Sequence, residues 1–251
     1  DENYHVYAVN LDGSNLKDLT PFDGVKASIL NSLKEQKDYI IVSMNKDNKQ
    51  IQEPYKVNVV TGAMEKLYTN NDPANPIMGY EFDKDGHLKA FVKMKNGVNS
   101  ELYYKGTGDT DFKLLKTTKW DETFAIISFN YATPNPDDAY VLTNLDSDKS
   151  RIVLYDFKTG KTVKEVYSNK DFDASIISLS RKRNWEIDYL GFEGEKVEIV
   201  PVSETFKKIY SNLEKQFKGY QFSVIGQTDN EDKLMIMVES DRLYGTYYLY
   251  D

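Results

Sequence analysis

The chain has 251 residues, a formal net charge of −8 and no cysteine. That length suits one large all-β domain. The scattered acidic surplus excludes the basic stripe that a nucleic-acid or anionic-membrane surface needs, and the missing thiols exclude a disulfide framework and a cysteine nucleophile.

Residues 4–11 and 16–20 read as two strands around Asp12-Gly13, the outer half of a first repeat. The second repeat divides into strands 26–33, 38–45, 54–60 and 63–69, with Thr61-Gly62 turning the outer hairpin. The third runs 77–83, 87–95, 101–105 and 112–116, turning at Asp85-Gly86 and Asn96-Gly97. The fourth runs 124–131, 139–145, 151–157 and 162–168, and its first connection, Thr133 to Asp138, is rich in strand breakers. A fifth begins alike with 174–180, 185–191 and 196–202, and then the period changes. Phe206, Ile209, Tyr210, Leu213 and Phe217 recur at helical spacing between a Ser203 cap and Gly219, which predicts a helix near 204–218 that decorates or replaces an outer strand. Strands 220–225, 233–240 and 246–251 begin a sixth repeat.

The repeats share a phrase. It reads VYAVNLDGSNLKDLT from Val6, YKVNVVTGAMEKLYT from Tyr55, LYYKGTGDTDFKLLK from Leu102 and IVLYDFKTGKTVKEVYS from Ile152. Its turn glycines, Gly13, Gly62, Gly108 and Gly160, stand about 50 residues apart. Four short strands at that period predict a β-propeller of four-stranded antiparallel blades. The expected organisation is a single propeller domain over 1–251: a partial blade 1–24, blades 25–70, 77–118, 123–169 and 174–218, and a partial blade 219–251. Strand residues at both ends lead us to read the chain as a piece of a longer protein, because open strand edges invite aggregation.

Propellers are platforms, so function rests on sites. No Gly-x-Ser-x-Gly elbow occurs. The two histidines, His5 and His87, fall in different repeats and read as strand or turn residues rather than parts of a triad or a metal centre. The Gly106–Asp109 stretch lacks the lysine and helix of a phosphate loop. The acidic turns Asn144 to Asp148 and Asp171 to Asp173 lack the glycine and terminal glutamate of an EF-hand and read as plain turns. Of the innermost strands only one carries acids, Glu81 and Asp83, a poor basis for glycosidase chemistry. No catalytic, cofactor-binding or metal-ligating residue is assigned, and no cofactor is expected. Most of the 19 tyrosines sit at alternating strand positions, where they pack between blades. Trp120, Trp185 and the turn Arg181-Lys182-Arg183 stand out as exposed candidates, the arginines following an inner strand; the turn itself reads as solvated.

The opening Asp1 to Leu11 followed by Asp18-Leu19-Thr20-Pro21, and Glu239 to Arg242 followed by Tyr244 to Asp251, resemble the propeller of serine peptidases of the prolyl oligopeptidase group, the S9 peptidases. The branch most resembled is the bacterial dipeptidyl aminopeptidases and acylaminoacyl peptidases. The resemblance implies a non-catalytic propeller that gates short peptides toward a downstream α/β-hydrolase domain carrying the serine, aspartate and histidine. It implies that domain and those peptides as partners, and a periplasmic or secreted location rather than a cytoplasmic one. No Glu-Glu pair is present to hold a substrate amine. The alternative is a TolB-like propeller, which shares the strand, Asp-Gly turn and Leu-Thr phrase and binds proteins in the cell envelope.

Overall fold

The computed structural model describes residues 2–251, and among these the fold is all-β apart from one helix, a series of small antiparallel meander sheets that are propeller blades. The chain divides after Asp121 into two compact units.

In the first unit, β1 (Tyr7–Ala8) and β2 (Lys17–Asp18) pair with Tyr7 opposite Asp18. These strands are shorter than the sequence suggests, because the Val6 amide goes to the Thr20 hydroxyl at 3.0 Å instead of a ladder carbonyl. Strands β3 (Ala27–Asn31), β4 (Tyr39–Met44), β5 (Glu53–Asn58) and β6 (Met64–Lys66) follow as one four-stranded sheet in chain order. Strands β7 (Ile77–Phe82), β8 (Leu88–Lys95), β9 (Asn99–Tyr104) and β10 (Lys113–Thr118) form the next. The continuous apolar run of β4 reports burial on both faces. Val42 and Met44 pack with Val6, Leu19, Tyr55 and Val57, whereas Ile41 packs with Leu33 of its own blade and with Phe82 and Leu88 of the following one.

The repeated phrase makes a defined turn. Asn58 Oδ1 accepts the amides of Val60 and Thr61 at 3.0 and 2.8 Å, and the Gly62 amide returns to the Asn58 carbonyl at 2.8 Å. Asp156 does the same for Lys158, Thr159 and Gly160. Gly62 and Gly160 have φ of +78° and +70°, the left-handed conformation that closes the hairpin and that glycine adopts without a Cβ clash.

In the second unit, β11 (Phe124–Phe129), β12 (Asp138–Thr143), β13 (Arg151–Asp156) and β14 (Lys161–Tyr167) form a full blade. Strands β15 (Ala174–Ser180), β16 (Glu186–Glu193) and β17 (Val197–Pro201) form a three-stranded sheet. Helix α1 (Glu204–Gln216) follows, and β18 (Gln221–Gln227), β19 (Leu234–Ser240) and β20 (Leu243–Tyr250) complete a second three-stranded sheet.

The helix starts where Ser203 Oγ accepts the Phe206 amide at 3.0 Å, with Glu204 in the first turn complementing the helix dipole. It does not simply stand in for an outer strand. Phe206 lies on Tyr189 of β16, with ring centres 4.5 Å apart, while Leu213 and Phe217 join Leu234, Ile236 and Val238 of β19 in one buried cluster. The apolar stripe therefore faces two sheets, and α1 is the wedge between them. Full burial of a side chain such as Leu213 contributes about 2 kcal/mol.

Candidate functional site

The turn at Arg181–Arg183 is solvated only in part: Lys182 is exposed as the sequence suggests, but Arg181 and Arg183 are half-buried and Arg183 is held in a charged network. Residues Asn184 and Trp185 both adopt left-handed φ values, +54° and +59°, and the Trp185 amide donates to the Ser180 carbonyl at 2.7 Å. The resulting tight turn aims Arg183 inward. Its Nε donates to Glu186, its Nη2 to Asp188 Oδ1 at 2.5 Å, and its Nη1 lies 3.5 Å from Glu231 Oε2. Burial opposes the guanidinium charge, but the hydrogen bonds to Asp188 and Glu186 outweigh it and hold the pKa above its ordinary value.

Glu231 comes from the turn between β18 and β19, and its side chain is only 5% exposed. Its Oε2 accepts the Ser180 hydroxyl, and its Oε1 accepts the Arg181 amide at 2.8 Å. It makes these bonds from a left-handed backbone, φ +58°. Asp188 links the network to the helix, because its Oδ1 also accepts the Ser203 hydroxyl at 2.6 Å. The turn after β15, the turn before β19 and the start of α1 thus meet at two carboxylates and one guanidinium. They border a cavity of about 220 Å³ that is also lined by Ser178, Tyr189, Phe206 and Val224.

The other candidates fall elsewhere. Trp185, read as exposed, is half-buried against Tyr131, with ring centres 4.6 Å apart; Trp120 is 81% exposed, as expected. His5 Nδ1 bonds Asp18 at 2.7 Å and His87 Nδ1 bonds Asp83 at 3.1 Å, each within its own repeat. Asp83, Asp85 and His87 bring ligand-type atoms within 4.8 Å of one another. They do so as a turn: Asp83 Oδ1 accepts the amides of Asp85 and His87, and Asp85 pairs with Lys84. The acidic turns serve as caps, since Asn144 Oδ1 accepts the Thr123 amide at 2.7 Å and Asp173 Oδ1 the Ser150 amide at 2.6 Å. Glu81, on β7, is pushed up to about 7 by burial. Several tyrosines pack as expected, with Tyr55, Tyr104, Tyr140 and Tyr155 buried, but Tyr7, Tyr244 and Tyr247 are exposed.

No family model matches the chain. Dipeptidyl aminopeptidase BIII of Pseudoxanthomonas mexicana is 36% identical over 106 residues, a match that covers 42% of this chain and 15% of that protein. A prolyl endopeptidase structure superposes with a TM-score of 0.61 at 13% identity, over 99% of this chain and 38% of the other. This chain fits the propeller domain of an S9 peptidase. TolB from Acinetobacter baumannii shares the fold as well, with a TM-score of 0.51 at 16% identity over 99% of this chain and 60% of TolB. The structural likenesses establish the propeller fold, and the 106-residue match is a sequence similarity to part of a dipeptidyl aminopeptidase.

Glu231 and Asp188 were not legible as site residues. Glu231 meets its partners across about 50 residues of chain, and nothing local marks it. Ser203 was legible, as the serine that precedes a helical stripe.

Proposed function

We propose that the chain is the non-catalytic propeller of an S9-type serine peptidase, a single domain over 1–251 that gates peptides toward an α/β-hydrolase domain. The 36% identity to dipeptidyl aminopeptidase BIII carries this reading. The sequence fits it, because no Gly-x-Ser-x-Gly elbow occurs among these 251 residues. A propeller in this role acts by size. It admits short or unstructured chains and excludes folded ones, so specificity lies in its opening and bond cleavage lies in the partner domain. The expected partners are that domain and short peptides, and the expected location is the periplasm or outside the cell. No helix among the described residues is long and apolar enough to cross a membrane.

The test is the coding sequence past Asp251 together with an assay of the purified chain on dipeptidyl and acylaminoacyl anilides. A following α/β pattern with Gly-x-Ser-x-Gly, and no hydrolysis by the chain alone, supports the reading. Hydrolysis that copurifies with the chain through successive columns overturns it. The TolB-like reading rests on the match to TolB along nearly the whole chain. It predicts no hydrolase domain and a protein partner in the cell envelope.

A further inference from the structure

The interface between the β15–β17 and β18–β20 sheets, where α1 lies, differs from the one before it. Between the β11–β14 sheet and the β15–β17 sheet, Tyr140, Ile152, Leu154, Ala174 and Leu190 fill the interface as one buried cluster. Between the β15–β17 sheet and the β18–β20 sheet, α1 enters as a wedge and leaves space beside it. The cavity at Arg183 shares Tyr189, Phe206 and Val224 with a second of about 190 Å³, which shares Val197, Ile199, Tyr210 and Phe222 with a third of about 220 Å³. The three lie side by side along the helix, neighbours through these shared walls, and together make a cleft region with room for a small organic molecule.

The cleft is amphipathic. Its middle is walled by Ile176, Tyr189, Ile199, Phe206 and Phe222. Its inner end carries Arg183, Asp188 and Glu231, one positive and two negative charges. Arg183 is already engaged by Glu186, Asp188 and Glu231, so it offers little to an incoming anion. Glu231 uses both oxygens on Ser180, Arg181 and Arg183. Asp188 differs. The hydrogen bonds to its carboxylate, from Arg183 and Ser203, both fall on Oδ1, which leaves the acceptor capacity of Oδ2 for a ligand. A carboxylate oxygen beside aromatic walls suits an alkylammonium head, which gains a charge-assisted hydrogen bond while its apolar body lies along Tyr189, Phe206 and Phe222. A carboxylate ligand would meet two like charges there.

We propose that this inter-sheet cleft is a binding site for a small amphiphilic amine, its ammonium on Asp188 and its apolar body along Tyr189, Phe206 and Phe222. The site does not depend on the peptidase reading, since both of its walls belong to this chain.

The experiment is calorimetric titration of the intact 251-residue chain at pH 7.5 with n-hexylammonium, hexanoate and 1-hexanol, which share an apolar body and differ in head charge. The expected result is saturable one-to-one binding of hexylammonium, with hexanol and hexanoate at least tenfold weaker. Asp188→Asn keeps an acceptor for Ser203 and is expected to weaken hexylammonium about tenfold while hexanol is unchanged. Hydrogen exchange on the unmodified chain gives a readout independent of any variant: hexylammonium should slow amides in 186–190 and 222–226. The proposal is overturned by hexanoate binding as tightly as hexylammonium, by no saturable binding at millimolar concentration, by an Asp188→Asn chain that melts normally and binds unchanged, or by protection confined to other segments. If Asp188→Asn fails to fold, the head-charge series on the unmodified chain decides.

Discussion

Replacing Glu231 tests whether the charged network joins the last two sheets or merely decorates them. Its carboxylate accepts the Ser180 hydroxyl and the Arg181 amide at 2.8 Å, and lies 3.5 Å from Arg183 Nη1. Buried hydrogen bonds to a charged group contribute about 1.5–3 kcal/mol each. Arg183 keeps Asp188 and Glu186, so the larger penalty for an unpaired buried charge, about 3–5 kcal/mol, applies only in part. Glu231→Ala is therefore expected to lose about 3 kcal/mol. At about 2–4 °C per kcal/mol for a chain of this size, the midpoint should fall by about 6–12 °C. The backbone supplies an internal control. At φ +58° a residue with a Cβ is strained by about 1 kcal/mol, so Glu231→Gly should be less destabilised than Glu231→Ala although both lack the carboxylate. Glu231→Gln, which keeps an acceptor, should fall between alanine and the parent. Urea titration and thermal melting followed by circular dichroism measure all three. An alanine variant within 1 kcal/mol of the parent, or a glycine variant less stable than alanine, refutes the reasoning.

Other substitutions probe other parts of the fold. Ser203→Ala removes both the α1 cap and a donor to Asp188, so a loss of about 1–2 kcal/mol is expected, with reduced helical signal in the far ultraviolet. Gly191→Ala should cost about 1–3 kcal/mol in urea titration, because a methyl built there collides with the Glu198 carbonyl on the neighbouring strand; an unchanged midpoint would show that β16 and β17 are free to separate. Burial holds Glu81 at about 7, above its ordinary value of 4.5. Between those values the folded chain keeps a proton that the unfolded chain releases, so stability falls as pH rises through that window and levels off above it. Glu81→Gln should flatten that decline and raise stability at pH 8 by at most about 3 kcal/mol; parallel pH profiles for parent and variant would refute the assignment.

Much of this architecture is written locally. The Asn58 and Asp156 turns follow from an acceptor side chain, two or three following amides and a glycine, all within six residues. The strands β7, β11 and β15 begin where alternation places them, and α1 is announced by Ser203 and the spacing of Phe206, Ile209, Leu213 and Phe217. The first pair of strands is shorter than alternation suggests because the Thr20 hydroxyl takes a ladder position, and a side chain competing for a backbone amide leaves no periodic trace.

The sequence by itself determined the repeat, its strands and its turns, because period-two alternation and left-handed glycines act over a few residues. Only the tertiary structure decided that α1 parts two sheets, that Arg183 turns inward, and that Trp185 rests on Tyr131. Each of those depends on surfaces brought together from distant parts of the chain. Whether a charge is solvated or buried is a property of what packs against it, and for Arg183 those groups include Glu231, which comes from another sheet.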